Sequence, residues 1–259
     1  LGACQVIYFS PEDLDLVRGE PTNRRDFLDK LLITKTPRLA GVLNDYDRAL
    51  KQRNTLLRTR APQPAITPWT EQLIKFASVI TAERIALVES LNPLVTENYK
   101  ELNEVKLASI IYKSNIEGLS TNSDSNHVLI NTKLLEVQYQ EIERGITLVG
   151  PHRDDLILQL GDFPAKGYAS HGESWSIALA LKLATYQLLV NDGHSPILIL
   201  DDVFSELDEE RREHLINLSK RAEQTLITVA VETDLPKDLT GVRYTIKGGS
   251  AVELNIGAN

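Results

Sequence analysis

The chain has 259 residues, of which 42% are hydrophobic and 25% charged, a composition typical of a globular protein with one or two domains. Its net charge of −8 gives no overall attraction to nucleic acid or acidic membranes, so any DNA contact must come from a local basic patch. The single cysteine, Cys4, excludes an internal disulfide and predicts a cytoplasmic location. No apolar stretch has membrane-spanning length, and we expect no membrane partner. Because the sequence begins with Leu1 and contains no methionine, we expect it to be part of a longer chain.

The first part of the chain is predicted to be mainly helical after one short strand. Apolar spacing, proline positions and N-cap patterns define the expected elements. They are a strand at 5–9, a helix around 24–29, and two long helices at 36–60 and 67–91.

The two long helices share one pattern, a heptad stripe of mostly aliphatic residues spaced alternately four and three apart. Each stripe contains one arginine, Arg53 in the first helix and Arg84 in the second. A short link with two prolines, residues 61–64, separates them. The pair therefore predicts an antiparallel helical arm.

The rest of the chain is predicted to alternate strands and helices. Its turns are marked by glycine, proline and small polar residues. The expected elements are a strand at 107–113, a loop at 120–126, a helix ending near Gly145, strands at 146–149 and 156–160, a helix after Ser170, a strand at 197–200, a helix capped by Asp208, a strand at 226–231, and a hairpin of 242–247 with 251–255.

A run of four aliphatic residues, Ile197–Leu200, leads directly into Asp201 and Asp202. Such a run predicts a strand that is buried on both faces and ends where open α/β sheets bind ligands. Because Mg²⁺ prefers carboxylate and phosphate oxygens, the two acids predict a site for a metal ion and a nucleotide. The same residues also fit a core strand followed by solvated acids.

The predicted helix after Ser170 begins with Ser170-His171-Gly172-Glu173, 31 residues before Asp201 (from 170 to 201). The first-turn amides of a helix and its positive dipole end can bind a phosphate, and a glycine lets the phosphate approach the backbone. Taken alone, these four residues favour an ordinary N-cap.

In combination, these motifs resemble the ABC-type ATPase head, in which a signature loop, a Walker B strand and a D-loop occur in this order. More specifically, the chain resembles the RecF family of bacterial recombination and gap-repair proteins, and the wording SHGESWS resembles actinobacterial members. The segments that carry the resemblance are 10–14 (SPEDL), 24–29 (RRDFLD), 51–54 (KQRN), 150–155 (GPHRDD), 170–176 (SHGESWS) and 200–208 (LDDVFSELD).

The resemblance implies an α/β fold. We expect the C-terminal half of an ABC-type ATPase head at 145–259, and an inserted helical arm lobe at 1–144 that begins with a strand. No Gly-x-x-x-x-Gly-Lys-Ser/Thr motif is present in the sequence. Because that motif forms the phosphate-binding loop, we expect ATPase activity only of the intact protein.

The resemblance also implies roles for particular residues, with ATP and Mg²⁺ as cofactors. Asp201 would hold Mg²⁺ through water, Asp202 would polarise the attacking water, and Thr228 would occupy the switch position. The signature residues, which would bind the γ-phosphate of an ATP held by the other subunit, are Ser170, His171, Gly172 and Glu173. The D-loop residues, which would lie at the dimer interface, are Ser205, Glu206, Leu207 and Asp208.

The function implied by the resemblance is ATP-dependent DNA binding in recombinational repair and replication-fork maintenance. Such a protein dimerises on ATP at gapped or junction DNA, hydrolyses ATP slowly, and works with RecR and RecO-type mediators. Basic residues near the first long helix are candidates for contacts to DNA phosphates. These residues are Arg24, Arg25, Arg48, Lys51 and Arg53.

Several alternatives remain open at this point. The basic residues could form a solvated helix face, and Arg53 and Arg84 could be structural because they lie on the apolar stripes. The chain could be a non-catalytic fragment that only binds DNA or protein. A further alternative is a metal-dependent phosphoesterase that uses Asp201 and Asp202. The role of residues 150–155 is undecided.

Overall fold

The computed structural model of the protein describes residues 5–102, 106–207, 209–220, 222–231, 233, 235 and 239–254. Helices form most of its first part, and strands and helices alternate in the second. The elements are β1 (Val6–Phe9), α1 (Leu14–Arg18), α2 (Pro21–Lys35), α3 (Leu39–Arg58), α4 (Gln63–Leu102), β2 (Ala108–Lys113), α5 (Ser123–Arg144), β3 (Asp155–Leu160), β4 (Phe163–Pro164), α6 (Ala165–Tyr168), α7 (His171–Asn191), β5 (Ile197–Asp201), α8 (Glu209–Ser219), β6 (Thr225–Thr228), β7 (Arg243–Lys247) and β8 (Ser250–Leu254).

The strands of the described residues form three sheets. The first is parallel, in the order β1-β5-β6, and the second is antiparallel, in the order β2-β3-β4. The third is the hairpin of β7 and β8, as predicted apart from residue 255, which lies outside the described residues. Strands from both sides of residue 144 pair with each other, β1 with β5 and β2 with β3. The domain boundary at 144/145 remains a prediction.

The main core surrounds α7, which is apolar on nearly every side and buries residues from Ser174 to Leu189 with few exceptions. Phe9 of β1 packs edge-on against Trp175 of α7, with the ring centroids 5.5 Å apart. A second core lies in the helical arm, where α3, α4 and α5 bury Tyr46, Leu73 and Ile130. The main core thus joins α7 to the parallel sheet, to the sheet of β2 and β3 and to parts of α2 and α4, whereas the second core lies within the predicted arm.

The predicted end of the second long helix near Leu91 is wrong, because α4 continues through Pro93 to Leu102. A proline inside a helix removes one backbone hydrogen bond and clashes with the preceding turn. Leu91, Val95 and Tyr99 are fully buried on the same side of α4. This packing offsets the local cost and keeps the helix continuous.

The predicted strand at 146–149 is also wrong, since these residues bond to side chains and pair with none of the strands in the described part of the chain. The Thr147 amide donates to Asn54 Oδ1 at 2.7 Å, and the Leu148 amide donates to Glu141 Oε1 at 2.7 Å. The predicted loop at 120–126 is shorter, because the Asn122 side chain caps α5 and the helix starts at Ser123. The predicted strand at 226–231 ends at Thr228.

The prediction that β5 is buried on both faces needs correction. Leu198 and Leu200 are buried in the main core, whereas Ile197 and Ile199 on the other face are half-buried. Tyr8 and Leu226 flank that face on β1 and β6 and are exposed. Among the described helices, none combines the length and apolar character needed to cross a membrane.

Candidate functional site

The carboxyl ends of β1, β5 and β6 meet at one edge of the parallel sheet. In this register, Tyr8 of β1 lies beside Ile199 of β5, and Asp201 of β5 lies beside Thr228 of β6. Ligands of open α/β sheets bind outside such an edge. The sheet therefore brings together three of the residues singled out in the sequence, namely Asp201, Asp202 and Thr228.

Both carboxylate oxygens of Asp201 accept hydrogen bonds from hydroxyl groups. The Thr228 hydroxyl donates to Oδ1, and the Tyr8 hydroxyl donates to Oδ2. These bonds, that from Thr228 first, lower the pKa of Asp201, because they stabilise its ionised form. Asp201 is thus a carboxylate at neutral pH, held between the two strands that flank β5.

The backbone of Asp202 adopts a left-handed conformation with φ +54°, which aspartate tolerates better than most residues. Its amide donates to the Thr228 carbonyl at 3.1 Å and lies 3.2 Å from the Thr228 hydroxyl. The Ala230 amide donates to Asp202 Oδ1 at 3.4 Å. These contacts hold Asp202 against the end of β6, with its carboxylate at the same edge as that of Asp201.

Tyr8 belongs to this site but was missed in the sequence. It lies on the opposite face of β1 from the buried Ile7 and Phe9, and it is 44% exposed. Its hydrogen bond to Asp201 raises the pKa of its hydroxyl. Two features of the sequence could have identified it. Buried and exposed residues alternate along β1, and parallel pairing of β1 with β5 puts Tyr8 on the same face as Asp201.

The start of α7 has the N-cap geometry that its sequence favoured. The Glu173 amide donates to Ser170 Oγ at 3.2 Å, and the Ser170 amide donates to Glu173 Oε2 at 2.8 Å, which completes a capping box. A capped serine still carries a hydroxyl proton that can be donated outward. The cap therefore does not exclude a phosphate at this helix end.

Positively charged groups surround the start of α7. Lys106 Nζ lies 2.7 Å from Glu173 Oε1, and this bond, together with the cap, lowers the pKa of Glu173 to about 2. Arg18 reaches both the Ser174 hydroxyl, at 3.2 Å, and His171 Nδ1, at 3.3 Å. A Cβ placed on Gly172 would come within 3.5 Å of Arg211 Nη1, so that guanidinium lies beside the glycine.

The turn after β5 is only partly available for contact with another subunit. Ser205 is exposed and donates to the Asp202 carbonyl at 3.1 Å, within a single helical turn that ends at Glu206. Leu207 was predicted to lie at the dimer interface, and this is corrected. Its side chain is 4% exposed and packs in the main core of its own chain, so it is not available for contact with another subunit. Asp208, the predicted helix cap and D-loop residue, lies outside the described residues.

Two of the predicted DNA-contacting arginines are buried, and that prediction is wrong for them. Arg24 is 4% exposed and pairs with both carboxylate oxygens of Asp155, at 2.8 and 2.9 Å. Arg53 is 3% exposed and pairs with Glu141 at 2.6 Å. A guanidinium that is buried and paired in this way serves the fold and is not available to DNA phosphates.

The other basic residues remain at the surface to different extents. Arg25 is half-buried and donates to the Asp154 carbonyl at 3.0 Å. Arg48 and Lys51 are exposed on α3, and Asp45 Oδ1 lies 3.7 Å from Arg48 Nη1. Contact between DNA and these three residues remains a prediction.

Residues 150–155, called the polar junction below, make contacts within the chain that support a structural role for this segment. The Pro151 carbonyl accepts from Arg84 at 2.8 Å, and Asp155 accepts from Arg24. Burial lowers the pKa of His152 to about 4, so the ring is neutral and accepts from the Tyr46 hydroxyl at 2.6 Å. The polar junction thus ties α2, α3 and α4 to the start of β3.

Comparison with known proteins identifies relatives of this chain, although no protein-family model matches it. The DNA replication and repair protein RecF of Streptomyces avermitilis is 46% identical over 261 residues, which cover 96% of this chain and 70% of that protein. The protein of the same name from Frankia alni is 45% identical over 267 residues, with 97% of this chain and 71% of the relative covered.

Solved structures show the same similarity. The structure of the recombination mediator protein RecF-ATP in the RecFOR pathway matches 98% of this chain and 68% of its own, with a TM-score of 0.86 at 25% identity. The corresponding RecF-ATPrS structure has a TM-score of 0.87 at 24% identity, covering 98% of this chain and 69% of its own. The predicted α/β fold and the resemblance noted in the sequence are confirmed. By its identity to relatives of which it covers about 70%, the chain belongs to the RecF family of DNA replication and repair proteins.

Proposed function

We propose that the protein binds DNA in replication and repair in an ATP-dependent way, with ATP held between two copies. Relatives carry the name DNA replication and repair protein, and a solved relative is named as a complex with ATP in the RecFOR pathway. The observation that carries the proposal is the edge of the parallel sheet, where Asp201, Asp202 and Thr228 converge at the ends of neighbouring strands.

Asp201 is the residue that would hold Mg²⁺. Its carboxylate lies among the hydroxyl oxygens of Tyr8 and Thr228, and such hard oxygen donors suit this ion. Its lowered pKa keeps the carboxylate charged at neutral pH. When bound there, Mg²⁺ would offset the negative charge of the ATP phosphates.

Asp202 would accept a proton from the water that attacks the γ-phosphate. Its bonds to Thr228 and Ala230 fix its backbone and one carboxylate oxygen against β6. The carboxylate therefore needs little rearrangement when the nucleotide arrives. Thr228, which contacts both acids, would be the residue at the switch position.

The start of α7 would supply the second half of the site, from the other copy. The bonds of Ser170 and Glu173 involve α7 and Lys106, whereas those of Asp201 join β1 to β6. The first-turn amides and the surrounding cations suit a phosphate. A γ-phosphate between the two halves would favour the closed dimer. Loss of the γ-phosphate on hydrolysis would allow the dimer to open.

The DNA partner would be gapped or junction DNA, with RecR and RecO-type mediators acting alongside. This part of the proposal rests on family membership and on the RecFOR pathway named for the solved relatives. The exposed Arg48 and Lys51 on α3 are the proposed contacts to DNA phosphates.

The test of the nucleotide site is Asp202→Asn in a form of the protein that contains a phosphate-binding loop. We expect ATP and Mg²⁺ to produce a dimer in light scattering, and Asp202→Asn to slow ATP turnover at least about 100-fold, because the water loses its base. The dimer should persist longer, since ATP binding is spared. Asp162→Asn, exposed in the turn before β4, is the matched control. Monomers only in ATP, or unchanged turnover in the Asp202 variant, would refute the assignment.

A further inference from the structure

Arg18 is an exposed arginine at the last position of α1, beside the first turn of α7. Its Nε donates to the Ser174 hydroxyl at 3.2 Å, and its Nη1 lies 3.3 Å from His171 Nδ1. A guanidinium group has only donors, so His171 Nδ1 is the acceptor of this bond. Arg18 is therefore fixed against the start of α7 although it is exposed.

The contact with Ser174 also ties Arg18 to Ser170, the residue that caps α7. Ser174 is 1% exposed, and its hydroxyl donates to the Ser170 carbonyl at 2.8 Å. The same hydroxyl accepts from Arg18 Nε, so it bonds on both sides. The guanidinium group and the helix cap are thus held in one fixed arrangement.

The backbone around Arg18 is anchored as well. The buried Arg24 donates to the Leu16 carbonyl at 3.4 Å and to the Gly19 carbonyl at 3.0 Å. A Cβ placed on Gly19 would lie 2.4 Å from the Asp15 carbonyl oxygen, so a larger residue would displace the chain where it leaves α1. The charge of Arg18 is therefore preorganised and needs little rearrangement to meet a ligand.

The charge of Arg18 has no carboxylate partner in the part of the chain that the structure describes. The neighbouring acid, Glu173, is already compensated, because Lys106 Nζ lies 2.7 Å from it and the Ser170 amide donates to it at 2.8 Å. The other guanidinium N–H groups of Arg18 bond to none of the described residues. A positive charge with unused donors thus remains beside Ser170.

We propose that Arg18 binds the γ-phosphate of the ATP held by the other copy, next to Ser170, and so makes closure of the dimer depend on ATP instead of ADP. This inference rests on the proposed function and extends it to a residue outside the segments 10–14 and 24–29 of the family resemblance. Guanidinium and phosphate groups pair through parallel hydrogen bonds, for which Arg18 has unused donors. Because ADP lacks the γ-phosphate, it offers Arg18 no such contact.

Two lysines close to this end of α7 are less suited to the same role. Lys106 is engaged by Glu173. Lys166 lies 3.1 Å from Glu20 Oε1 and donates to the Gly19 carbonyl at 3.0 Å. A phosphate would have to compete with a carboxylate for either ammonium group, whereas Arg18 needs no such exchange.

Light scattering at increasing ATP concentration tests the proposal, with Mg²⁺ and in a form of the protein that contains a phosphate-binding loop. We expect Arg18→Gln to raise the ATP concentration for half-maximal dimerisation at least about 10-fold, because each bridging ATP loses a charge-assisted hydrogen bond. Binding of ADP to the monomer, measured by calorimetry, should be unchanged. Lys166→Gln is the matched control, since it removes a nearby positive charge that already pairs with Glu20.

The outcomes separate this inference from the proposed function. A native protein that forms no dimer in ATP would refute both. A native dimer with the same ATP dependence in Arg18→Gln would refute only the role of Arg18, and a loss of stability in urea without that change would leave Arg18 as a link between α1 and α7. Weaker ADP binding by Arg18→Gln, in proportion to the effect on ATP, would also contradict recognition of the γ-phosphate.

Chemical modification of the native protein tests the same contact without a substitution. Phenylglyoxal reacts with exposed arginines, and mass spectrometry of the resulting peptides gives the rate at each position. ATP with Mg²⁺ should slow the modification of Arg18, and ADP should not. Arg144, exposed at the end of α5, is the control and should react at one rate in both nucleotides. Equal rates at Arg18 in ATP and ADP would overturn the proposal even if Arg18→Gln failed to fold.

Discussion

At the scale of single residues, the Arg53–Glu141 pair shows how a charge on an apolar stripe is accommodated. The side chains of both partners are at most 4% exposed, and Arg53 also donates to Thr70 and Thr147. The second carboxylate oxygen of Glu141 accepts the Leu148 amide. The pair therefore joins α3 to α5. Glu141 also supplies the hydrogen-bond acceptor for the Leu148 amide that a neighbouring strand would supply if 146–149 were a strand.

Removing one charge of this pair should be costly. We expect Glu141→Gln to lower the free energy of unfolding by about 3–5 kcal/mol, because Arg53 stays buried without a counter-charge. Urea unfolding followed by circular dichroism measures the change. Glu143→Gln, exposed on the same helix, should change stability by no more than about 0.5 kcal/mol. A loss for Glu141→Gln as small as that of the control would mean that the pair contributes little.

At the scale of elements, the sequence predicted best those segments whose signals are local. The Ser170 cap and the run from Ile197 to Asp201 located α7 and β5, because caps and aliphatic runs act within a few residues. The end of α4 was mispredicted, since burial of Val95 and Tyr99 by distant elements outweighs the local effect of Pro93. Tyr8 was missed for the same reason, because its contact with Asp201 depends on strand pairing across 193 positions.

The cap of α7 should make the stability of the fold depend on pH. Lys106 and the capping box lower the pKa of Glu173 from 4.5 to about 2 in the folded protein. A carboxyl group whose pKa is lowered by folding stabilises the fold above pH 4.5, and this contribution is lost as pH falls towards 2. We expect Glu173→Gln to be less stable at pH 6 and to lose less stability than the native chain between pH 4.5 and 2.

Urea unfolding at a series of pH values measures this difference. Lys106→Met should have an intermediate effect, because it leaves the capping box in place but removes the hydrogen bond from Lys106, which lowers the pKa of Glu173 most. If native chain and Glu173→Gln lost stability in parallel below pH 4.5, the carboxylate of Glu173 would not be coupled to folding.

At the scale of the whole molecule, the polar junction explains which basic residues face solvent. Arg24 and Arg84 are drawn inward by Asp155 and by Asp29 with the Pro151 carbonyl, and so hold the helical arm against the sheet. Exposed positive charge on α3 is then left to Arg48, Lys51 and Arg58. The net charge of −8 means that these few residues must act locally to attract DNA.

The double variant Arg48→Glu with Lys51→Glu tests that surface. Each lost phosphate contact lowers the slope of log affinity against log salt by about 0.9, so two contacts should lower it by about 1.8. Fluorescence anisotropy with gapped duplex DNA at several salt concentrations measures the slope. The control, Lys220→Glu with Lys247→Glu, makes the same change in net charge at exposed positions outside the arm. Both double variants change the net charge equally. Only a local DNA surface on α3 therefore predicts a larger decrease in the salt slope for Arg48→Glu with Lys51→Glu than for the control. Equal slopes for the two variants would assign Arg48 and Lys51 to an ordinary solvated helix face.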